Sequence, residues 1–284
     1  MPLNTLLLVG LALLAFAGNS LLNRAGVASE AIDPQSFAFI RVLSGAVFLA
    51  ALAGLRGLPI KPRASDAPGI GALALYMAGF SVAYSWLDAG LGALILFGVV
   101  QVTVIGWGLR QGARPTTVTL LGLLLAFAGL VWLLRPDTTG TPIVALAAMA
   151  AAGLGWGIYT LLGRGAPDPL ARTARNFIGA VPLSAVLLFW QSGMPSANGI
   201  ALAALSGVLT SGAGYAVWYH VLPKLSPVTA GTSQLSVPPL TALLGAVLLG
   251  EAITLELAAA SLVILGGVAL TFLGARSPQS TRPR

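Results

Sequence analysis

The chain has 284 residues, 57% of them hydrophobic and only 8% charged, with a net charge of +7. A soluble domain carries about 25% charged residues, so a folded chain this poor in charge must turn apolar surface toward lipid. The lack of cysteine and the single histidine, His220, exclude disulfides, thiolate metal sites, cysteine nucleophiles and His-cluster metal centres.

A membrane-crossing helix needs about 20 mostly apolar residues. The first run that qualifies is Leu3–Leu22. Its Ala15-Phe16-Ala17 resembles a signal-peptidase site, but no Lys or Arg precedes it, so the expectation is a retained first span. The next four are Pro34–Leu55, Pro68–Leu87, Gly90–Gly108 and Thr116–Leu134. The last five are Pro142–Leu162, Ala171–Trp190, Asn198–Val221, Pro227–Gly250 and Ala252–Leu273. The alternation of a membrane strand is missing, and backbone in lipid must satisfy itself. The expectation is an all-α membrane protein of ten transmembrane helices.

The loops orient these spans. Arg56, Lys61, Arg63, Arg110, Arg114, Arg164, Arg172, Arg175, Lys224, Arg276, Arg282 and Arg284 fall on the side of the termini. Only Arg24 and Arg135 fall opposite, and Arg41 lies inside the second span. That bias predicts a multi-pass protein of a bacterial inner membrane with both termini cytoplasmic. It also accounts for the net charge without nucleic acid. Glu30, Asp33, Asp88, Asp137, Glu251 and Glu256 lie outside or near outer ends, with Asp66 and Asp168 inside. With no acid at mid-span, downhill uniport is favoured over proton antiport. The longest loop, Arg56–Ala67, leaves no room for a catalytic or nucleotide-binding domain, and there is no GxxxxGK[ST] loop.

The two halves share a plan. Phe16-Ala-Gly-Asn-Ser-Leu-Leu-Asn-Arg-Ala resembles Trp156-Gly-Ile-Tyr-Thr-Leu-Leu-Gly-Arg-Gly, and each is followed by an Asp-Pro (Asp33-Pro34, Asp168-Pro169) and then an Arg (Arg41, Arg175). Gln101 and Gln234 are lone glutamines in the fourth helix of each half. Five spans per half is an odd number, so the second half enters the membrane inverted, an arrangement typical of secondary transporters. The expected units are residues 1–137, residues 138–276 and a cytoplasmic tail, 277–284.

Pro239-Leu-Thr-Ala-Leu-Leu-Gly-Ala-Val-Leu-Leu-Gly-Glu251, with Gly266-Gly267-Val-Ala-Leu270, resembles the C-terminal signature of the EamA family of the drug/metabolite transporter superfamily. The resemblance spans the whole chain and looks closest to the YddG-type exporters of aromatic amino acids. It implies two inverted five-helix repeats around a central cavity, and export of amino acids, metabolites or drugs. Gln101-Val-Thr departs from the pattern, standing where many members have a proline.

Polar side chains at mid-span face protein or a water-filled cavity. The candidate substrate-binding residues are Asn19, Tyr76, Phe80, Gln101, Trp156, Tyr159, Ser233 and Gln234. Gln101 and Gln234 suit a carboxylate or ammonium, or else bond helix to helix. Tyr76, Phe80 and Trp156 offer a stacking surface, or else core packing. Trp86, Trp107, Trp132, Trp190, Tyr215, Trp218 and Tyr219 read as an interfacial belt, and His220 as interfacial too. Arg41 could pair with Asp33 or Glu30, snorkel, or meet a substrate carboxylate, pairing being favoured. Gly153 and Gly157 form a GxxxG for close helix approach. Pro182, Pro238 and Pro239 are candidate hinges, or else static kinks.

The expected function is a secondary transporter exporting small metabolites, aromatic or hydrophobic amino acids foremost, by alternating access. Alternatives are an exporter of other drugs or metabolites, phosphorylated solutes included, or a non-transport assembly or sensor protein. The chemistry of an enzyme is missing from the spans. The expected partners are a small-molecule substrate and the lipid bilayer, with the chain a monomer or weak homodimer and no cofactor.

Overall fold

The computed structural model describes residues 2–87, 89–112, 115–133, 142–164, 166–225, 227–249 and 255–274. The described residues form helices joined by turns and short loops, without strands. The expectations for Asp88, Arg114, Arg135, Asp137, Glu251, the 137/138 boundary and the tail lie outside them.

Seven stretches are long and apolar enough to cross a membrane. They are α1 (Leu3–Val27), α2 (Pro34–Leu55), α3 (Ala67–Ala83, with a leading 3-10 turn), α4 (Ala89–Arg110), α6 (Ile143–Gly163), α7 (Pro169–Ala185, continued as 3-10 helix to Trp190) and a composite eighth rod. That rod joins α8 (Ala197–Leu205), a π-helical segment (Ser206–Ala213) and α9 (Gly214–Val221). Between α4 and α6 lies the shorter apolar α5 (Thr117–Leu133), and at the end α12 (Leu255–Gly274). The expected ninth span is two pieces, α10 (Pro227–Gln234) and α11 (Val237–Leu249).

The two Asp-Pro pairs begin helices in the same way. Asp33 accepts from the backbone N–H of Gln35 and Ser36, and Asp168 from that of Ala171, while Pro34 and Pro169 fill the first helical position. An acceptor at the N-cap and a proline at N1 satisfy or avoid the orphan donors of a first turn. The third span ends earlier than expected, at Ala83, because the chain turns at Tyr84, whose hydroxyl donates to the carbonyl of Ala89 and ties the turn to α4.

Most packing joins the first half to the second. α3 packs on α6 and α7, α1 on the eighth rod and α11, α2 on α7 and the π segment, α4 on α6, α10 and α11, and α5 on α12. Small residues let these axes approach. A Cβ on Gly155 would meet the Ala72 carbonyl at 2.7 Å, and one on Gly157 would meet Thr103 Cβ at 2.8 Å. The main core lies where α1, α2, α3, α4, α6, α7 and α9 converge. Outward faces carry Leu7, Leu124, Val102 and Leu262, all exposed, as lipid-facing residues should be.

Candidate functional site

Aromatic rings fill the middle of the bundle. Trp156 of α6 packs 4.7 Å from Tyr215 of α9, 5.2 Å from Tyr76 of α3, 5.3 Å from Phe16 of α1 and 5.9 Å from Tyr159. Phe80 lies 5.3 Å from Tyr76, and Phe177 of α7 lies 5.7 Å from Tyr215. These centroid spacings are those of favourable tilted and edge-on ring pairs. The volume expected to be a central cavity is thus closed by rings from both halves.

Polar groups fix the rings. Trp156 Nε1 donates to Gln234 Oε1 at 2.7 Å, and the Gln234 amide donates to the Ala230 carbonyl at 3.2 Å. Asn19 Nδ2 donates to the Tyr76 hydroxyl at 3.2 Å, while its carbonyl accepts from Ser206 at 2.7 Å. Arg41 is wholly buried. Its Nε donates to Ser211 at 2.9 Å, and its Nη2 donates to the hydroxyls of Tyr76 at 2.9 Å and Tyr215 at 3.2 Å. Its guanidinium carbon lies 5.1 Å and 5.0 Å from the ring centroids of Tyr76 and Phe80, within cation–π range.

The model of the EamA-like transporter family matches residues 143–273. An uncharacterized protein of Pseudomonas aeruginosa is 51% identical over 268 residues, covering 94% of this chain and 93% of its own. The chain belongs to the EamA-like transporter family. An uncharacterized transporter of Archaeoglobus fulgidus is 25% identical over 211 residues, or 70% of this chain and 74% of its own. A solved structure, described only as a protein crystal structure, superposes with a TM-score of 0.79 over 96% of this chain and 99% of its own. At 22% identity it shows the fold alone.

In this EamA-like transporter, six of the eight expected site residues meet in one cluster: Asn19, Tyr76, Phe80, Trp156, Tyr159 and Gln234. The other two hold helices. Gln101 donates its amide to the Gly231 carbonyl, clamping α4 to α10, and its own carbonyl is buried without a partner. Ser233 donates back to the Ala230 carbonyl of its own helix at 3.0 Å. The expected hinges fall in different settings. Pro182 is on the exposed side of α7, four residues before the helix tightens. Pro238 and Pro239 are buried in the first turn of α11, directly after the break at Leu235–Ser236.

Two expectations are corrected. Tyr215, Trp218 and Tyr219 are 1%, 0% and 2% exposed, so they are core and not belt, because α1 and α7 pack against α9. Trp86, Trp107, Trp132 and Trp190 are exposed as a belt requires. Nor does Arg41 pair with Asp33 or Glu30: Asp33 is spent capping α2, and Glu30 lies exposed in the turn before it. Phe16, Ser206, Ser211 and Tyr215 were not expected at the site. The signal that could have found Tyr215 is its setting in Ser211-Gly-Ala-Gly-Tyr215, a run of small residues suited to tight burial.

Proposed function

We propose that this protein is a secondary transporter that exports small metabolites, aromatic and hydrophobic amino acids foremost, across the bacterial inner membrane by alternating access. The observation that carries the reading is the enclosure of Trp156, Tyr76, Phe16 and Tyr215, rings drawn from both halves and packed against buried hydrogen-bonding groups. A planar apolar ligand stacks on such surfaces while polar groups fix its orientation.

The reading takes ten spans: α1 to α7 as seven, the composite rod as the eighth, α10 with α11 as the ninth and α12 as the tenth. It takes residues 1–137 and 138–276 as inverted repeats. Support comes from reciprocal packing. Exchanging the halves turns the pair α3 with α6 into the pair of the rod with α1, α4 with α6 into α11 with α1, and α3 with α7 into the π segment with α2. The pairs α2 with α7, α4 with α10 and α11, and α5 with α12 exchange with themselves. In secondary transporters, pseudo-two-fold packing of this kind accompanies a substrate site between the repeats, which supports the reading. The charge bias of the loops supports cytoplasmic termini.

The test is counterflow in proteoliposomes. Vesicles loaded with unlabelled L-phenylalanine or L-tryptophan should accumulate the labelled amino acid. Trp156→Ala should abolish that accumulation. Accumulation no greater than in protein-free vesicles sinks the proposal. Transport should also proceed without an imposed pH gradient, since the acids Asp33, Asp66 and Asp168 sit at helix starts.

A further inference from the structure

The two repeat-related arginines differ in one respect. Arg175 of α7 holds an acid supplied by the chain: its Nε is 2.7 Å from Asp66 Oδ2 and its Nη2 is 3.2 Å from Asp66 Oδ1, a two-pronged pair. Arg41 of α2 is buried more completely, yet among the described residues its hydrogen-bond partners are hydroxyls and no carboxylate. Its Nη1 is buried without any hydrogen-bond partner. A guanidinium keeps its charge in any protein setting, and an intramembrane cation without a counter-ion is costly and marks function. Snorkelling is excluded by its burial, about 10 Å of helix from the start of α2.

We infer that Arg41 is the anchor for the carboxylate of the transported solute, which makes the substrate class an aromatic or apolar monocarboxylate, amino acids included. The inference rests on the transporter reading of this same site and adds the group that selects the charge. The hydroxyls of Tyr76 and Tyr215 accept from Arg41, which leaves hydroxyl protons on this side of the guanidinium as donors. A carboxylate arriving at Nη1 would take N–H and O–H donors together, the charge-assisted geometry that binds acids best. The ring of the same solute would then lie by Tyr76 and Phe80, which face the guanidinium, and by Trp156, which packs on Tyr76. One cation selects one negative charge, so a dianionic phosphate is disfavoured.

A cavity lies further along α2, toward its C-terminal end. It has a volume of about 470 Å³ and opens between α1, α2, α7 and α9, with Arg56, Asp168 and His220 at its mouth and Phe48 and Ala213 on its wall. Phe48 sits two turns from Arg41 on the same helix, and Gly212 next to Ser211 leaves the space that its ring occupies. Phe48 thus lines the cavity and abuts Gly212, the neighbour of the Ser211 that binds Arg41.

Three probes separate the charges: L-phenylalanine, 3-phenylpropionate and 2-phenylethylamine. Thermal stabilisation of the purified full chain in detergent reads binding, and proteoliposome counterflow reads transport. The expected result is binding of both acids and not of the amine. Arg41→Gln should weaken the acids by about thirtyfold, and Arg41→Lys, which keeps charge but loses the fork, should fall between. Equal binding of the amine and 3-phenylpropionate overturns the anchor and leaves the transport reading standing. Acids that bind but show no counterflow support the anchor and sink the transport reading. If no probe binds, the anchor is overturned. Should Arg41→Gln fail to fold, the three-probe comparison on the unaltered chain still decides.

Discussion

Trp156 acts through two parts of one side chain. Its ring is the hub of four aromatic contacts, and its N–H is tied to Gln234. Trp156→Phe keeps a ring and removes the donor, leaving the Gln234 carbonyl buried and unpaired at a cost of about 2 kcal/mol. Counterflow of L-phenylalanine should therefore fall about thirtyfold in Trp156→Phe, and adding Gln234→Leu should restore part of it, since both partners are then apolar. Equal rates in the two variants would show that the bond does not position the ring. At the other end, Asp66→Asn leaves Arg175 buried without its acid. The expected loss is about 3 kcal/mol of stability, read as a lower thermal midpoint in detergent with the rings of the core undisturbed. The six residues that cluster at the centre of the bundle were legible because a polar or large aromatic side chain at mid-span stands out against Leu, Val and Ala. Arg41 was misassigned because its partners lie 35, 170 and 174 positions away, whereas nearby Asp33 and Glu30 offered a local answer. Tyr215 was misassigned because distance from a span end was taken for depth, and sequence alone does not say which face of a helix is wrapped.

Among the elements, α2 was fully legible: Pro34–Leu55 is the helix as read from its apolar run, with the Asp-Pro pair at its start. The composite eighth rod was not, because a π segment has no apolar period to betray it. π turns are rare and gather at functional sites; here the segment carries Ser206, Thr210 and Ser211 to Asn19 and Arg41. The α6 interface allows a direct test. Gly155→Val would drive a branched side chain into the backbone of α3 at Ala72 and Tyr76. It should cost about 3 kcal/mol by overpacking, seen as a lower thermal midpoint and loss of a single peak on size exclusion. The break between α10 and α11 calls for a different measurement. With Pro238 and Pro239 both changed to Ala, helix hydrogen bonds can run through residues 235–239. Binding of L-phenylalanine should persist while the counterflow rate drops; an unchanged rate would make the break a static feature.

At the scale of the whole molecule, cysteine-free sequence makes orientation measurable without background. Lys61 and Met194 are both exposed, in loops that the charge bias assigns to opposite sides. Lys61→Cys should react with an impermeant maleimide only from the cytoplasmic side, and Met194→Cys only from outside. Labelling of both from one side would invert or break the ten-span reading. Under that reading the halves are related but unequal: α4 runs unbroken through Gln101-Val-Thr, while its counterpart splits into α10 and α11. Were the repeats identical, the inward-open and outward-open forms would be mirror states of equal energy. A stiff rod on one side and a jointed one on the other lifts that degeneracy, so the empty carrier dwells longer facing one compartment. Net flux still obeys the solute gradient. The asymmetry surfaces instead as unequal half-saturation for influx and efflux, offset by unequal maximal rates, and it traces to the Pro238-Pro239 pair that α4 lacks.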